Sequence, residues 1–183
     1  MKVSREQVAE NRRRILDAAA QLFRERGFEN VTVAEVMSAA GLTHGGFYGH
    51  FDSKEALIDA AMAHELQTPR SGRSTLENPS RYADAYLSRQ HRDNISSGCP
   101  FSALGTEAAR GSSALRHTMT ESLRRQIDAF IPVSQGATAQ ERRRNAIATV
   151  STMVGAMVLA RISDDEKFSD EVLTAARAAL PLT

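Results

Sequence analysis

The sequence predicts an all-α protein of about nine helices, and three observations support this fold class. Apolar residues recur every three or four positions over most of the chain, which is the period of an amphipathic helix. Threonine or aspartate stands three residues before glutamate at 32–35, 52–55 and 138–141, a spacing that begins helices. Neither a strand-like alternation nor an internal repeat is evident in the 183 residues.

The region 32–50 predicts two short helices around a glycine turn. Thr32 and Glu35 form a capping box that begins a helix at about Val33. Gly41 ends it, because glycine accepts the left-handed conformation of a C-terminal cap. Thr43 is then the N-cap of a second helix over 43–50. Helix, glycine turn and helix make a helix-turn-helix pattern, whose second helix enters the major groove of DNA.

The composition of 43–50 is not explained by stability alone. The segment holds glycines at 45, 46 and 49, and each costs about 1 kcal/mol against alanine inside a helix. Glycine does permit close approach to another surface. Phe47 and Phe51 are predicted to fill the core side, and the polar side chains then face outward. Asp52 is predicted to cap the next helix with Glu55, and Lys54 in its first turn opposes the helix dipole, which suits phosphate contact.

These residues resemble the DNA-binding domain of the tetracycline-repressor (TetR/AcrR) family of bacterial regulators. The matching positions are 40–43, Gly45, Phe47-Tyr48, His50-Phe51, 53–55 and Leu57, preceded by 14–19, Leu22, Phe23, Gly27 and Phe28. The resemblance implies a three-helix helix-turn-helix DNA-binding domain over 1–52. It also implies a helical ligand-binding and dimerisation domain over 53–183, with six further helices.

The resemblance implies DNA contacts for eight residues. The predicted phosphate contacts are Thr32, Thr43, Tyr48, His50 and Lys54, and the residues facing base edges are His44, Gly45 and Gly46. Gly46 departs from the family pattern, where a small polar or methyl-bearing residue is usual. Few side chains are therefore left for direct readout of the bases, and DNA shape is expected to supply the rest of the sequence specificity. The plainer alternative leaves His44 exposed without a role and the aromatic residues as core.

The N-terminal 14 residues are basic, with Lys2, Arg5 and the run 12–14 against two glutamates. A basic arm ahead of the first helix can follow phosphates or enter a minor groove. A solvated, charged helix end explains the same residues equally well.

The remainder of the chain predicts helices separated by proline and glycine. The predicted helices cover 78–94, a short segment after Pro100, 112–130, 138–161 and 169–180, with a polar loop over 69–79. The segment 146–160 is apolar or small nearly all round, so it is expected to be buried on two sides. By resemblance, this helix and the last one pair with their copies in a homodimer. The predicted interface residues are Val150, Val154, Gly155, Met157, Val158, Val172, Leu173, Ala176 and Leu180.

The resemblance also implies a pocket for a small-molecule effector. The candidate wall residues are His64, Tyr82, Tyr86, Cys99, Phe101, Leu104, Met119 and Met153, and each is equally explained as ordinary core. Cys99 stands before Pro100 at a helix N-terminus, which favours a thiolate and would suit a sensor or a nucleophile. The alternative is a small buried residue, the usual place of a free cysteine.

Two other classes of function stay open on the residues alone. One is an enzyme using Cys99 with His91 or His117, although no acid partner or oxyanion site accompanies them. The other is an architectural DNA binder without a ligand. Scattered histidines and one cysteine predict no metal site, and no cofactor is expected.

Charge and composition agree with a DNA-binding regulator. A net charge of +1 requires affinity from local charge and from a doubled site. The charged N-terminus, the single cysteine and an apolar run considered too short for a membrane predict a cytoplasmic protein without a membrane partner. We therefore predict a homodimeric, ligand-responsive, non-enzymatic regulator that binds double-stranded operator DNA, most simply as a repressor released by a small molecule.

Overall fold

The computed structural model describes residues 4–67 and 78–182 and confirms the all-α fold class. The α-helices of these residues are α1 Arg5–Arg26, α2 Val33–Ala39, α3 Lys54–Gln67, α4 Pro79–Tyr86, α5 Arg89–Asp93, α6 Pro100–Ala108, α7 Ser113–Phe130, α8 Ala139–Ile162 and α9 Glu166–Ala178. Two 3-10 helices, His44–Gly49 and Ile131–Val133, join them. The loop predicted over 69–79 lies, except for its last two residues, outside the described residues.

The chain forms two compact units. Among the described residues, 4–67 with 104–119 make the first, which we call the reading unit, and 78–103 with 120–182 make the second, which we call the regulatory unit. Helices α6 and α7 each contribute residues to both units. The boundary between the DNA-binding and regulatory domains was predicted at residue 53, and it stays a prediction. In the structure α3, which follows that residue, packs on α1 within the reading unit.

The core of the reading unit is apolar side chains of α1, α2, α3 and the 3-10 helix. Ile15, Phe23, Met37, Phe47 and Leu57 are at most 1% exposed. One ion pair is buried in the same unit. Arg24 Nη1 of α1 lies 3.0 Å from Glu65 Oε2 of α3, and their side chains are 6% and 14% exposed. Both charges have left most of their water, and the ion pair offsets part of that cost.

The start and end of α2 are as predicted. The Thr32 hydroxyl accepts from the Glu35 amide at 3.2 Å, and the Glu35 carboxylate accepts from the Thr32 amide at 2.8 Å. Gly41 has φ +66°, the left-handed region that favours glycine. A Cβ at this position would also meet the Arg14 guanidinium. The backbone conformation therefore requires glycine at the turn, whereas the end of the flexible Arg14 side chain could move aside.

The capping box gives a pH-dependence prediction. The pKa of Glu35 is lowered to about 2, mainly because the Thr32 amide donates to the carboxylate, with help from the Thr32 hydroxyl and Arg26. A lowered folded-state pKa stabilises the protein above the usual value of 4.5, and that contribution is lost as the pH falls toward 2. We expect Glu35→Gln to lower the melting temperature at pH 7 and to have a smaller effect near pH 3. An equal effect at both pH values would contradict this origin of the stabilisation.

Two predicted helix starts were wrong by a few residues. Ser53, not Asp52, caps α3, because its hydroxyl accepts from the Ala56 amide at 3.0 Å. The last helix begins at Glu166 instead of 169, because the Asp165 carboxylate accepts from the amides of Lys167 and Phe168. In both cases the helix begins after the residue whose side-chain oxygen accepts from the first free backbone amides.

Two longer expectations also changed. The helix predicted over 78–94 is divided into α4 and α5, because the Ser88 hydroxyl donates to the Ala85 carbonyl and accepts from the His91 amide. The arginines considered as a basic arm lie instead on α1, which begins at Arg5 with Ser4 as N-cap. The structure therefore agrees with the alternative of a charged helix for Arg5 and 12–14, whereas Lys2 lies outside the described residues.

In the regulatory unit, α8 packs along α9. Val150, Met153 and Met157 of α8 lie with Leu173 and Leu180 in one buried cluster. By length and composition α8 is apolar enough to cross a membrane, contrary to the judgement that its apolar run is too short. A core helix passes the same test, and the buried face of α8 fits that description.

Candidate nucleic-acid interface

The segment predicted to read DNA is a 3-10 helix, His44–Gly49. Its hydrogen bonds join residues three apart, as from the Gly46 amide to the Thr43 carbonyl at 3.0 Å and from His50 to Phe47 at 2.8 Å. Glycines weaken the preference for α-helix, and a short run tolerates the tighter winding. Thr43 occupies the N-cap position but makes no side-chain capping bond, so that part of its predicted role was wrong.

The two faces of this helix separate as predicted. Phe47 and Phe51 are 1% and 5% exposed, and their rings stack at 5.8 Å. Tyr48 is 71% exposed, and its ring meets only the edge of Phe47 in the ring contacts of the described residues. Thr43 and His44 are exposed and His50 is half-buried. The polar residues predicted to contact DNA thus share the solvent side of a helix anchored by two phenylalanines.

None of the three glycines is required by the packing of the protein itself. A Cβ at Gly45 or Gly49 would meet nothing within 4 Å. At Gly46 it would lie 3.6 Å from Met37 Cε, which is an ordinary contact. All three have φ outside the left-handed region. The open space above these residues therefore suits a surface from outside the chain that comes close to the backbone.

Arg12 holds the end of this helix, a role that the sequence did not reveal. Its Nη1 donates to the His50 carbonyl at 2.6 Å, and its guanidinium lies 4.2 Å from the Phe51 ring centroid. The carbonyl capping and the cation–π contact together fix the residues that follow Tyr48. The basic run at 12–14 was the available signal, but a partner 38 residues away could not be inferred from it.

Two predicted phosphate contacts already have partners. The Thr32 amide and hydroxyl both donate to Glu35 Oε2, at 2.8 and 2.7 Å. Lys54 Nζ donates to the Glu29 carbonyl at 3.3 Å. A single bond to a neutral carbonyl leaves the charge of Lys54 uncompensated, so a phosphate can still attract it. Thr32 would have to give up its hydrogen bonds to the Glu35 carboxylate before it could bind a phosphate. The case for a phosphate contact is therefore weaker for Thr32 than for Lys54.

The predicted pocket residues divide between the two units. His64, Leu104 and Met119 belong to the reading unit, and His64 Nε2 lies 2.8 Å from Asp17 Oδ1 of α1. In the regulatory unit, Tyr86 and Met153 are core, with Tyr82 and Cys99 packed against them, and Phe101 is half-buried. Tyr82 meets Tyr86 at 6.1 Å and Phe130 at 5.6 Å between ring centroids.

The predicted interface residues divide between core and surface. Val150, Met157, Leu173 and Leu180 are at most 8% exposed, so they contribute to the core of a single chain. Val154, Val172 and Ala176 are half-buried, and Gly155 and Val158 are exposed. Besides Val158, four large apolar residues of α8 and α9 that were not predicted are exposed, namely Ile147, Leu159, Ile162 and Phe168, at 42%, 54%, 73% and 55%.

His91 has both ring nitrogens in use. Nε2 accepts from the Cys99 amide at 3.0 Å, and Nδ1 lies 2.7 Å from the Tyr86 carbonyl, which can only accept. These partners require the neutral ring with its proton on Nδ1. His91 therefore lacks the free lone pair that a base toward the Cys99 thiol needs, which argues against the enzyme alternative built on this pair.

Comparison with known proteins decides the family of this reading unit. The family described as bacterial regulatory proteins, tetR family, matches residues 15–61. Residues 15–61 are a TetR-family DNA-binding domain. Over 48 residues the chain is 50% identical to the HTH-type transcriptional repressor KstR2 of Rhodococcus jostii, which is 26% of this chain and 24% of that protein. Over 59 residues it is 41% identical to the repressor Rv1474c of Mycobacterium tuberculosis, 32% of each.

Solved structures extend the likeness in fold beyond this TetR-family domain. E. coli NemR in its reduced form aligns over 93% of this chain and 94% of its own, with a TM-score of 0.73 and 23% identity. A TetR-family regulator from Cytophaga hutchinsonii aligns over both whole chains, with a TM-score of 0.72 and 19% identity. At these identities the likeness shows the fold alone. The chain spans less than two fifths of the length of the curated relatives it matches, between 24% and 39% for KstR2, Rv1474c and AcrR of Shigella flexneri.

Proposed function

We propose that the protein is a homodimeric transcriptional regulator that binds operator DNA and is released by a small molecule, acting as a repressor in the cytoplasm without cofactor or catalysis. The observation that carries the proposal is the solvent face of the 3-10 helix. It presents Tyr48, Thr43 and His44 beside glycines with open space above them. The TetR family membership of residues 15–61 supports the same use.

The apolar surface of α8 and α9 supports a dimer. Ile147, Gly155, Val158, Leu159 and Ile162 fall on one side of α8, opposite the buried face that holds Val150 and Met157. Phe168, Val172, Ala175 and Ala179 form a similar stripe on α9. A helix that is apolar on two opposite faces is stabilised when each face packs against an apolar surface. We infer that α9 supplies one and the second copy supplies the other, in a two-fold interface.

A dimer would also double the number of cations that can contact DNA phosphates. A single reading unit offers few cations for phosphate, and the net charge of the chain is only +1. A two-fold dimer places two reading helices about 34–36 Å apart, which matches one turn of DNA. Each half-site can then be weak while the pair binds tightly.

Ligand response requires a connection between the regulatory unit and the reading unit. Helix α3 lies within the reading unit, where His64 near its end contacts Asp17 of α1. Helix α6 is better placed in the chain. Its first residues belong to the regulatory unit, and Glu107 near its end accepts from the Phe28 amide at 2.6 Å, just after α1. A ligand that prefers a displaced α6 would lower DNA affinity by shifting the population of conformers.

The direct test is a fluorescence-anisotropy titration against the intergenic DNA beside the protein's own gene, with random duplex as competitor. Competitor-resistant binding by a dimer supports the proposed regulator. Equal binding to random duplex and to a library of genomic intergenic fragments would overturn sequence-specific regulation and favour an architectural role.

Two substitutions test the phosphate contacts. We expect Tyr48→Phe and Lys54→Ala to weaken binding to operator and random DNA alike, since phosphate contacts carry no sequence information. Lys54→Ala should also reduce the slope of log affinity against log salt by about 0.9 for each of the two subunits. Lys167→Ala is the matched control, because this exposed lysine lies on α9 of the regulatory unit. Unchanged affinity in both variants would remove these assignments.

A further inference from the structure

The 3-10 helix His44–Gly49, which we call the reading helix, has little stability of its own. It spans six residues, and three of them are glycines, which lose the most backbone freedom when a helix forms. A helix this short is marginal in water without tertiary contacts. No atom of the described residues lies within 4 Å of where a Cβ of Gly45 or Gly49 would be, so packing does not restrain them from that side. The conformation of the helix therefore depends on what holds its two ends.

Two arginines of α1 lie at the two ends of the reading helix. In the turn before its start, a Cβ on Gly41 would lie 2.5 Å from Arg14 Nη2, so that guanidinium lies directly against the turn. After its end, Arg12 Nη1 donates to the His50 carbonyl at 2.6 Å. Helix α1 has 22 residues and buries its other face in the core of the reading unit. A long, well-packed helix therefore contacts the short one at both ends.

The contacts of Arg12 are of the kind that restrain a helix C-terminus. The last carbonyls of a helix lack partners inside it, and the helix dipole favours a cation beside them. The reading helix ends here, since the amides of His50 and Phe51 both donate to the Phe47 carbonyl, at 2.8 and 3.0 Å. The Arg12 guanidinium also lies 4.2 Å from the centroid of the Phe51 ring, which is only 5% exposed. The buried ring positions the guanidinium, and the guanidinium positions the His50 carbonyl.

The backbone that Arg12 restrains lies between two residues predicted to contact DNA. Tyr48 stands two residues before His50 and is 71% exposed, and Lys54 stands four residues after it. A displaced His50 carbonyl would therefore change where both side chains meet a duplex. Phosphate contacts fix the register of a protein on DNA, and base contacts depend on that register. Such a displacement would therefore weaken sequence-specific binding more than non-specific binding.

We propose that Arg12 is a positioning residue for sequence-specific DNA binding, which holds the reading helix in its binding conformation before DNA is met. Arg12 precedes the matched residues 15–61, so the family likeness assigns it no role. It acts through the His50 carbonyl and the Phe51 ring instead of through a phosphate. Binding then loses less conformational entropy, because a glycine-rich segment is already ordered. The consequence for DNA rests on the proposed function, whereas the restraint on the helix exists without DNA.

The first experiment measures amide hydrogen exchange of the free protein by mass spectrometry. Arg12→Met keeps most of the apolar length of the side chain but removes the donor and the charge. We expect exchange in the peptide covering 43–52 to be at least about fivefold faster than in the wild type, because the amides of His50 and Phe51 lose their restraint. Exchange in α3 should stay unchanged. Unchanged exchange over 43–52, or equally faster exchange throughout the reading unit, would overturn the proposal.

The neighbouring arginine provides the matched control. Arg13 pairs with Glu10 and Asp17 of its own helix, so Arg13→Met should leave exchange over 43–52 at the wild-type rate. Arg12→Lys keeps a cation and a donor but lacks the planar guanidinium that lies over the ring. Its exchange rate over 43–52 should therefore lie between those of the wild type and Arg12→Met. Equally fast exchange in Arg13→Met would show that lost charge on α1, and not the contact, is responsible, and would overturn the proposal.

The second experiment measures fluorescence anisotropy with operator and with random duplex at several salt concentrations. Arg12→Met should weaken operator binding about tenfold and random-duplex binding by less than about twofold, with an unchanged slope of log affinity against log salt. Equal weakening of both duplexes, or a slope reduced by about 0.9 for each subunit as for a phosphate contact, would overturn the positioning role. If the wild-type protein binds operator no better than random duplex, the proposed function fails, while exchange over 43–52 still decides whether Arg12 holds the reading helix.

Discussion

Replacing Leu159 and Ile162 together with glutamate is expected to convert the dimer into monomers and to lower operator affinity by about a hundredfold or more. Both side chains are large, apolar and exposed, at 54% and 73%. In the proposed two-fold interface each substitution occurs twice, so four carboxylates would lose water in an apolar surface. The effect on DNA follows because a monomer contacts one half-site and loses the gain from linked binding.

The dimer experiment needs a readout of mass and one of affinity. Sedimentation equilibrium should give the mass of one chain, 20.0 kDa, for the double variant and twice that mass for the wild type. Leu123→Glu is the matched control, since Leu123 is an exposed apolar residue of α7 outside the α8–α9 surface. A double variant that stays dimeric and keeps its affinity would show that this surface is not the interface.

Arg24→Met is expected to destabilise the protein by about 3–5 kcal/mol, because it removes one partner of a buried ion pair. The two side chains join α1 to α3 at 3.0 Å, where only 6% and 14% of their surfaces are exposed. Since both helices belong to the reading unit, DNA binding should be lost at a lower temperature than in the wild type. Urea unfolding followed by circular dichroism gives the free energy, and anisotropy at rising temperature gives the loss of binding.

A second cation on the same helix provides the control. Arg13 pairs with Glu10 and Asp17, but its side chain is 56% exposed. Arg13→Met should therefore change stability far less than Arg24→Met does. Combining Arg24→Met with Glu65→Leu should recover most of the loss, because a buried pair is replaceable by apolar groups. A double variant as unstable as the single one would show that packing, and not the unpaired charge, is responsible.

The parts of the site that were predicted correctly depend on residues close in sequence. The capping box of Thr32 and Glu35 spans three positions, and Gly41 ends the helix it begins. The alternation of buried Phe47 and exposed Tyr48 follows from helical periodicity alone. Such features are decided by backbone geometry and one or two side chains, so they can be predicted before any packing is known. The starts of α3 and α9 are local features too, but they were predicted wrongly. Several nearby residues carry side-chain oxygens that can cap a helix, and residue type alone does not show which of them does.

Other features that were not predicted depend on which residues the fold brings together. Arg12 caps the carbonyl of His50, and Glu107 bonds to Phe28 across 79 positions. Both ring nitrogens of His91 are hydrogen-bonded to the backbone of Tyr86 and Cys99, so neither is available to act as a base. Residue type alone allowed a phosphate contact, an ordinary surface acid and a catalytic base. Only the fold chose among these roles, because it decides which donor meets which acceptor.

The two apolar faces of α8 show the same division. The sequence by itself determined that 146–160 is helical and apolar nearly all round, since periodicity and composition are local properties. Only the tertiary structure decided that Val150 and Met157 face the core while Leu159 and Ile162 face solvent. When every side of a helix is apolar, burial free energy favours no side over another. The position of α9 along one side breaks that equivalence, and it leaves the opposite side for a partner.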